Sequence, residues 1–232
     1  MGILAIVLAT VCGQELPTGT DVVAKYVKAK GGEKLLQKTT SYRLLVEIHI
    51  DGKKFADSEV LQAKNRHLTT NTLADGSTMT HGTDGKTAWY IDPEGMVHRL
   101  KGPQLIDYLR HYTTVHEALE WPKQFAKIDC VGRKQINGKR AYQVEFTSRD
   151  GVTLTRFFAV DSGLFLREVQ KVDKRGTLVV SDISDYRRVK GVLVPHKRIV
   201  TVGKQRTEYR VRRAQNNIVF AKDRFVAPPP RR

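Results

Sequence analysis

Seven histidines, two cysteines and a scatter of carboxylates are the residues of this 232-residue chain that could do chemistry. The histidines His49, His67, His81, His98, His111, His116 and His196 are dispersed. The nearest pair, His111 and His116, is spaced i, i+5 and diverges around a helix. Strand neighbours such as His49 and His81 have the right donor atoms for a metal, but scattered surface histidines need no metal, and none is assigned. Cys130 has no His or Asp beside it and sits in the alternating run Ile128 to Ile136, the setting of a buried inert thiol. Asp182 and Asp185, with Asp173 one strand earlier, have the residue type of an acid and a base. Arg187 and Arg188 stand next to them, and strand-end ion pairs account for them more simply. The sequence contains no Gly-rich phosphate loop, G-x-S-x-G elbow, H-E-x-x-H pair or C-x-x-C pair. No catalytic residue and no cofactor is therefore assigned, and two cysteines are too few for a disulfide scaffold.

Charge supplies the next signal. Lys and Arg number 40 against 24 Asp and Glu, a formal net charge of +16. The excess is concentrated from Arg187 to Arg213, which holds ten basic residues and one acidic residue, Glu208. Arg206, Arg210 and Arg212 alternate with Tyr209 and Val211, which puts the cations on one side of a strand. With Arg198 they form a candidate docking surface for anionic headgroups or an acidic partner. Nucleic acid is not expected, because the basic face carries no interleaved aromatics on which bases could stack.

The elements that must carry these residues follow from periodicity. Val22, Val23, Tyr26 and Val27 form one apolar helical face that Gly31-Gly32 ends, and Glu33 to Gln37 reads as a second short helix. From Ser41 the period drops to two, with Tyr42, Leu44, Val46, Ile48 and Ile50 on one side of a strand. Turn signals then recur about every 9 to 15 residues, among them Asp51-Gly52, Asp75-Gly76, Asp84-Gly85, Asn137-Gly138, Asp150-Gly151 and Ser162-Gly163. No segment between them is long enough for a crossover helix, so the sheet is antiparallel. One helix interrupts the meander between Pro103 and Phe125, with Leu105, Leu109, Tyr112, His116 and Leu119 on one stripe and Trp121-Pro122 ending it. The predicted fold is mainly β with α: a single unclosed antiparallel barrel of about 10–11 strands covered by two or three helices.

The ends are read separately. Residues 1–13 hold the apolar run Ile3 to Val11, too short to span a bilayer and shaped like a signal peptide cleaved after Gly13. A buried N-terminal strand is one alternative; acylation of Cys12 is a lesser one, because Val11 occupies a position where that processing calls for a small residue. The folded domain is placed at 14–226, and 227–232 at a flexible Pro/Arg tail. A strongly curved sheet of this size has more inner surface than its own side chains fill, so helix and ligand compete for it. The candidate lining is Leu44, Val46 and Ile48 from the first strand and Leu105, Leu109, Tyr112 and Leu119 from a movable lid.

Five stretches carry a family resemblance in order and spacing. They are Tyr26-Val-Lys-Ala-Lys-Gly-Gly-Glu-Lys-Leu-Leu, Thr83-Asp-Gly-Lys-Thr-Ala-Trp-Tyr-Ile-Asp-Pro, Gly132-Arg-Lys-Gln-Ile-Asn-Gly-Lys-Arg-Ala-Tyr-Gln-Val, Ala159-Val-Asp-Ser-Gly-Leu-Phe-Leu-Arg and Ser184-Asp-Tyr-Arg-Arg-Val-Lys-Gly-Val-Leu-Val-Pro-His. From about Val22 to Phe225 the chain resembles the LolA/LolB-like outer-membrane lipoprotein-sorting family. That resemblance implies a half-barrel whose hydrophobic concave face, under helices, receives acyl chains of lipoproteins or lipids in the periplasm. It implies a binding protein without enzymatic turnover or cofactor, partnered by a lipid or lipidated protein; a monomer is expected, and the basic face is the candidate surface for an anionic membrane or an envelope protein. An envelope sensor that binds a protein partner on the same scaffold is the alternative.

Overall fold

The computed structural model describes residues 15–112, 115–171, 176–221 and 223–229. The proposed signal segment, Cys12 and Asp173 lie outside these residues, as does the side chain of Tyr112. Two helices, α1 (Gly19–Lys30) and α2 (Glu33–Lys38), precede six strands: β1 (Ser41–Ile50), β2 (Lys53–Ala63), β3 (Arg66–Leu73), β4 (Thr78–Thr83), β5 (Ala88–Ile91) and β6 (Val97–Arg99). Helices α3 (Gly102–Tyr112) and α4 (Glu117–Gln124) follow. Seven strands complete the chain: β7 (Phe125–Ile136), β8 (Lys139–Ser148), β9 (Thr153–Ala159), β10 (Phe165–Lys171), β11 (Leu178–Val189), β12 (Val192–Val202) and β13 (Gln205–Asn216). All thirteen form one antiparallel sheet in the order β6-β5-β4-β3-β2-β1-β13-β12-β11-β10-β9-β8-β7, which is not closed on itself. The expected half-barrel is present, with thirteen strands and four helices among the described residues where 10–11 and two or three were expected.

Local chemistry explains the helix boundaries. Thr18 caps α1 by accepting the Asp21 amide at 3.1 Å, and Gly31, at φ 139°, closes it by donating to the Lys28 carbonyl. Gly19 lets α1 enter close to the sheet, since a Cβ there would stand 2.3 Å from the Ile128 carbonyl oxygen of β7. The single helix predicted from Pro103 to Phe125 is two. α4 starts at its N-cap residue His116 and runs past Trp121-Pro122 to Gln124, because the buried Trp121 anchors this turn more strongly than Pro122 disfavours it.

The helices lie against one face of the sheet, and this inner face has two characters. Over β7–β10 it is apolar and filled: Val22, Val23 and Tyr26 of α1 and Ala118 and Trp121 of α4 pack on Val144, Phe146 and Phe158. Tyr26 stacks on Trp121 at 5.7 Å, and Phe146 meets the same indole edge-on at 5.4 Å. Over β3 and β4 the inner face is polar. Register places His67, Thr69 and Asn71 of β3 opposite Thr83, His81 and Met79 of β4, on the side that carries Tyr42, Leu44 and Val46 in β1. The hydrophobic concave face implied by the resemblance is only partly present: its apolar floor stops near β1 and β2, and hydroxyls and imidazoles continue it. The outer face of β2–β5 holds the C-terminal segment, where Phe225 and Ala227 are buried with Leu61, Leu68 and Trp89.

Candidate functional site

The first strand presents its even-numbered residues inward because its register with β2 pairs Leu44 with Val60, Val46 with Ser58 and Ile48 with Ala56. Val46 and Ile48 are buried, yet they belong to none of the four apolar clusters among the described residues. Leu44 is half-buried and lies, with Leu119 of α4, at the edge of the cluster formed by Leu36, Tyr42, Val192 and Val194. Leu105 and Leu109 of α3 are half-buried and join no cluster, while Ile106 is 61 % exposed. Leu44, Val46 and Ile48 thus share one surface, Leu119 is packed beside it, and Leu105 and Leu109 sit on a helix from which no described side chain joins an apolar cluster. An open cleft of about 460 Å³ lies where α3 begins, between Tyr90, His98, Leu100 and Gln104.

Among the described residues, a polar contact ties α3 to the sheet. The Tyr108 hydroxyl is 2.6 Å from His81 Nδ1, and the His81 ring stacks on that of His67 at 5.6 Å. His67 Nε2 in turn lies 2.7 Å from the Thr69 hydroxyl. Burial, aided by the neighbouring His81, pushes His67 down to about 3, and burial lowers His81 as well. Both rings are therefore neutral at pH 7, and the α3 contact is a hydrogen-bonded seam rather than an ion pair. Its sequence signal was present: in Arg66–Leu73 the inward positions are His67, Thr69 and Asn71, a polar face that alternation alone leaves indistinguishable from a solvated one.

The basic surface is partly neutralised from within. Glu208 of β13 is buried on the outer face among Arg210 at 2.6 Å, Arg206 at 2.9 Å and Lys197 at 3.0 Å. The Arg210 hydrogen bond is the first cause that holds this carboxyl down to about 2. Arg212 reaches Glu47 at 3.4 Å on the same side. Arg198 does not join them: it pairs with Tyr209, faces inward and donates to the Ser181 hydroxyl at 3.0 Å, so the four-arginine docking group reduces to three. The correction arises because register between β12 and β13 sets opposite faces for residues that look alike in sequence.

The candidates set aside in the sequence are engaged elsewhere. Asp182 takes a bidentate pair from Arg167 at 2.7 and 2.9 Å, and Asp185 pairs with Arg187 at 2.7 Å. His49 faces outward beside Glu47 whereas His81 faces inward, so these two do not converge. Burial raises the Cys130 thiol, which keeps it protonated. Among the described residues no group of three or more His, Cys, Asp or Glu could hold a metal. No helix among them is long and apolar enough to cross a membrane.

Comparison places this architecture. The fold is shared with a DUF1329 family protein from Desulfovibrio piger, at TM-score 0.63, 14% identity and coverage of 90% of this chain and 98% of the other. A domain described as an outer-membrane lipoprotein-sorting protein from Vibrio parahaemolyticus matches at TM-score 0.63 and 12% identity, over 88% of this chain and 94% of the other. A LolA superfamily protein from Nitrosomonas europaea matches at TM-score 0.63 and 13% identity, over 91% and 98%. The fold is thus the LolA-type open half-barrel. No protein-family model and no curated protein matches the sequence.

Proposed function

We propose that the protein is a periplasmic carrier that holds the acyl chain of a lipid or lipoprotein on the inner face of the half-barrel, beneath α3. The observation that carries this reading is the unequal fastening of the helices. α1 and α4 are interlocked with β8 and β9 through Tyr26, Trp121, Phe146 and Phe158, whereas Leu105 and Leu109 of α3 enter no core cluster among the described residues. A helix held by a hydrogen-bonded seam moves at lower cost than one held by stacked aromatics, and Val46 and Ile48 offer apolar floor on the inner face. In this reading residues 1–13 direct export and are removed, 14–226 form the carrier domain, 227–232 are a tail, and the protein acts as a monomer without turnover. Arg206, Arg210 and Arg212 then dock the carrier on anionic headgroups or an envelope partner.

Lipid extraction of the purified protein followed by mass spectrometry tests the reading. About one bound lipid per chain is expected, and Leu105→Asp with Leu109→Asp should lower that occupancy. A lipid-free protein that co-purifies with a stoichiometric envelope protein would replace the carrier by a sensor.

A further inference from the structure

Besides Arg156 Nη1 in the apolar half of the interior, three polar atoms among the described residues end without a hydrogen-bond partner although their residues are more than nine-tenths buried or at that limit: Tyr42 Oη, His116 Nδ1 and Asn216 Oδ1, on residues 7 %, 9 % and 1 % exposed. They belong to one neighbourhood. Tyr42 and Asn216 stand directly opposite each other on β1 and β13, and the Tyr42 and His116 rings meet edge to face at 5.8 Å. Their neighbours fix what each atom can do. His116 Nε2 donates to the Thr39 carbonyl at 2.9 Å, so the neutral ring offers Nδ1 as an acceptor. The Asn216 amide nitrogen donates to the Val189 carbonyl at 3.0 Å, which leaves Oδ1 as a second acceptor. Tyr42 Oη can donate or accept.

Lys190 Nζ donates to the Asn216 backbone carbonyl at 3.2 Å, and a pair of charges lies near His116. Lys30 acts on His116, and Glu117 acts on Lys30 with the opposite sign. From Tyr42 the same strand face continues as Leu44, Val46 and Ile48, six residue steps of about 3.3 Å, or roughly 20 Å. Two acceptors and a hydroxyl thus stand at one end of an apolar strip as long as an acyl chain.

We propose that this cluster is a head-group subsite for a neutral, hydroxyl-bearing lipid of the monoacylglycerol type. Its hydroxyls donate to His116 Nδ1 and Asn216 Oδ1 and accept from Tyr42 Oη, while its chain lies along Leu44, Val46 and Ile48. The inference rests on the carrier reading and adds a choice among lipids. A carboxylate head brings only lone pairs to two acceptors and is discriminated against; a glycerol head brings the donors they lack.

The test compares 1-monomyristoylglycerol with myristate at pH 8, each displacing the neutral dye N-phenyl-1-naphthylamine from the full chain, in wild type and Tyr42→Phe. The glycerol ester is expected to bind about tenfold tighter or more than the acid. Tyr42→Phe should weaken the ester alone by about three- to tenfold, the loss of one hydrogen bond. Its melting temperature should be unchanged or raised, because it removes an unpartnered hydroxyl without leaving a void, so weaker binding is not unfolding. Equal affinity for both lipids, with Tyr42→Phe like wild type, would overturn the subsite and leave the carrier intact, the three atoms then holding water alone. Failure of the dye and both lipids to bind would overturn the carrier reading and the subsite with it.

Discussion

Arg156 is a cation in the apolar half of the interior, and its removal and the removal of its partner should have unequal effects. Its guanidinium lies 4.0 Å from the centre of the Trp121 ring and 4.7 Å from that of Phe146, with an ion pair to Glu168 at 2.8 Å. The two side chains are 8 % and 21 % exposed, and Arg156 Nη1 has no hydrogen-bond partner. Glu168→Ala therefore leaves a desolvated charge with no counter-ion. A fully buried pair broken this way costs about 3–5 kcal/mol, and the partial exposure of Glu168 brings the expected value down to about 2–3 kcal/mol. For a domain of this size that corresponds to a drop in Tm of about 4–12 °C. Arg156→Met removes the charge that must be compensated, keeps an apolar stem against Trp121 and lets Glu168 turn to water. It forgoes a cation–π contact of about 0.5–2 kcal/mol, so the net change should be about 1 kcal/mol or less. Urea unfolding followed by tryptophan fluorescence, with calorimetry for Tm, measures both variants. If Arg156→Met were as destabilising as Glu168→Ala, charge compensation would not be what organises this half of the core.

Three further outcomes follow from the same geometry. Glu208 has a depressed pKa of about 2, so its stabilising effect is complete above the ordinary carboxylate value near 4.5 and is lost as pH falls from there through about 2. Glu208→Gln should cost about 1–2 kcal/mol at pH 7, a value reduced for the half-exposed cations around it, and much less at pH 2.5 in paired urea titrations. His67 behaves in the opposite sense to a paired histidine. Its folded pKa near 3 lies below the unfolded 6.5, so the unfolded chain takes up the proton first and stability declines as pH drops below 6.5. About 2 kcal/mol should be lost from this group between pH 7.5 and pH 5, and His67→Gln should flatten that part of the stability profile. Finally, Arg206→Gln with Arg212→Gln leaves Lys197 and Arg210 to hold Glu208, and should weaken binding to anionic vesicles at low salt in a sedimentation assay; unchanged binding would remove the outer basic face from the docking step.

Particular residues show what the chain reveals before it is folded. Asp51-Gly52 and Asn137-Gly138 mark real hairpins, with Asp51 and Asn137 at φ 48° and 49°, because few other dipeptides hold those angles cheaply. The strand number fell short where strands are brief: Ala88–Ile91 and Val97–Arg99 offer too few residues for alternation to register. The break between α3 and α4 was hidden because Leu105, Leu109 and Leu119 keep helical spacing across it. Alternation separates two faces of a strand but does not say which one is covered, so His67 read as a surface histidine and Arg198 as a companion of Arg206. Leu44, Val46 and Ile48 could be placed on one face from period alone. The grouping of Tyr42, His116 and Asn216 could not, since it depends on long-range register and on where α4 begins.

Hydrogen exchange with and without an excess of a synthetic acylated lipopeptide addresses the carrier claim most directly. Uptake should fall in residues 42–48 and change in 102–111, where the chain enters and α3 must move, while 22–27 and 144–158 stay as they were. No change in 42–48 and 102–111, or protection confined to the α1 and β8–β9 side, would contradict it.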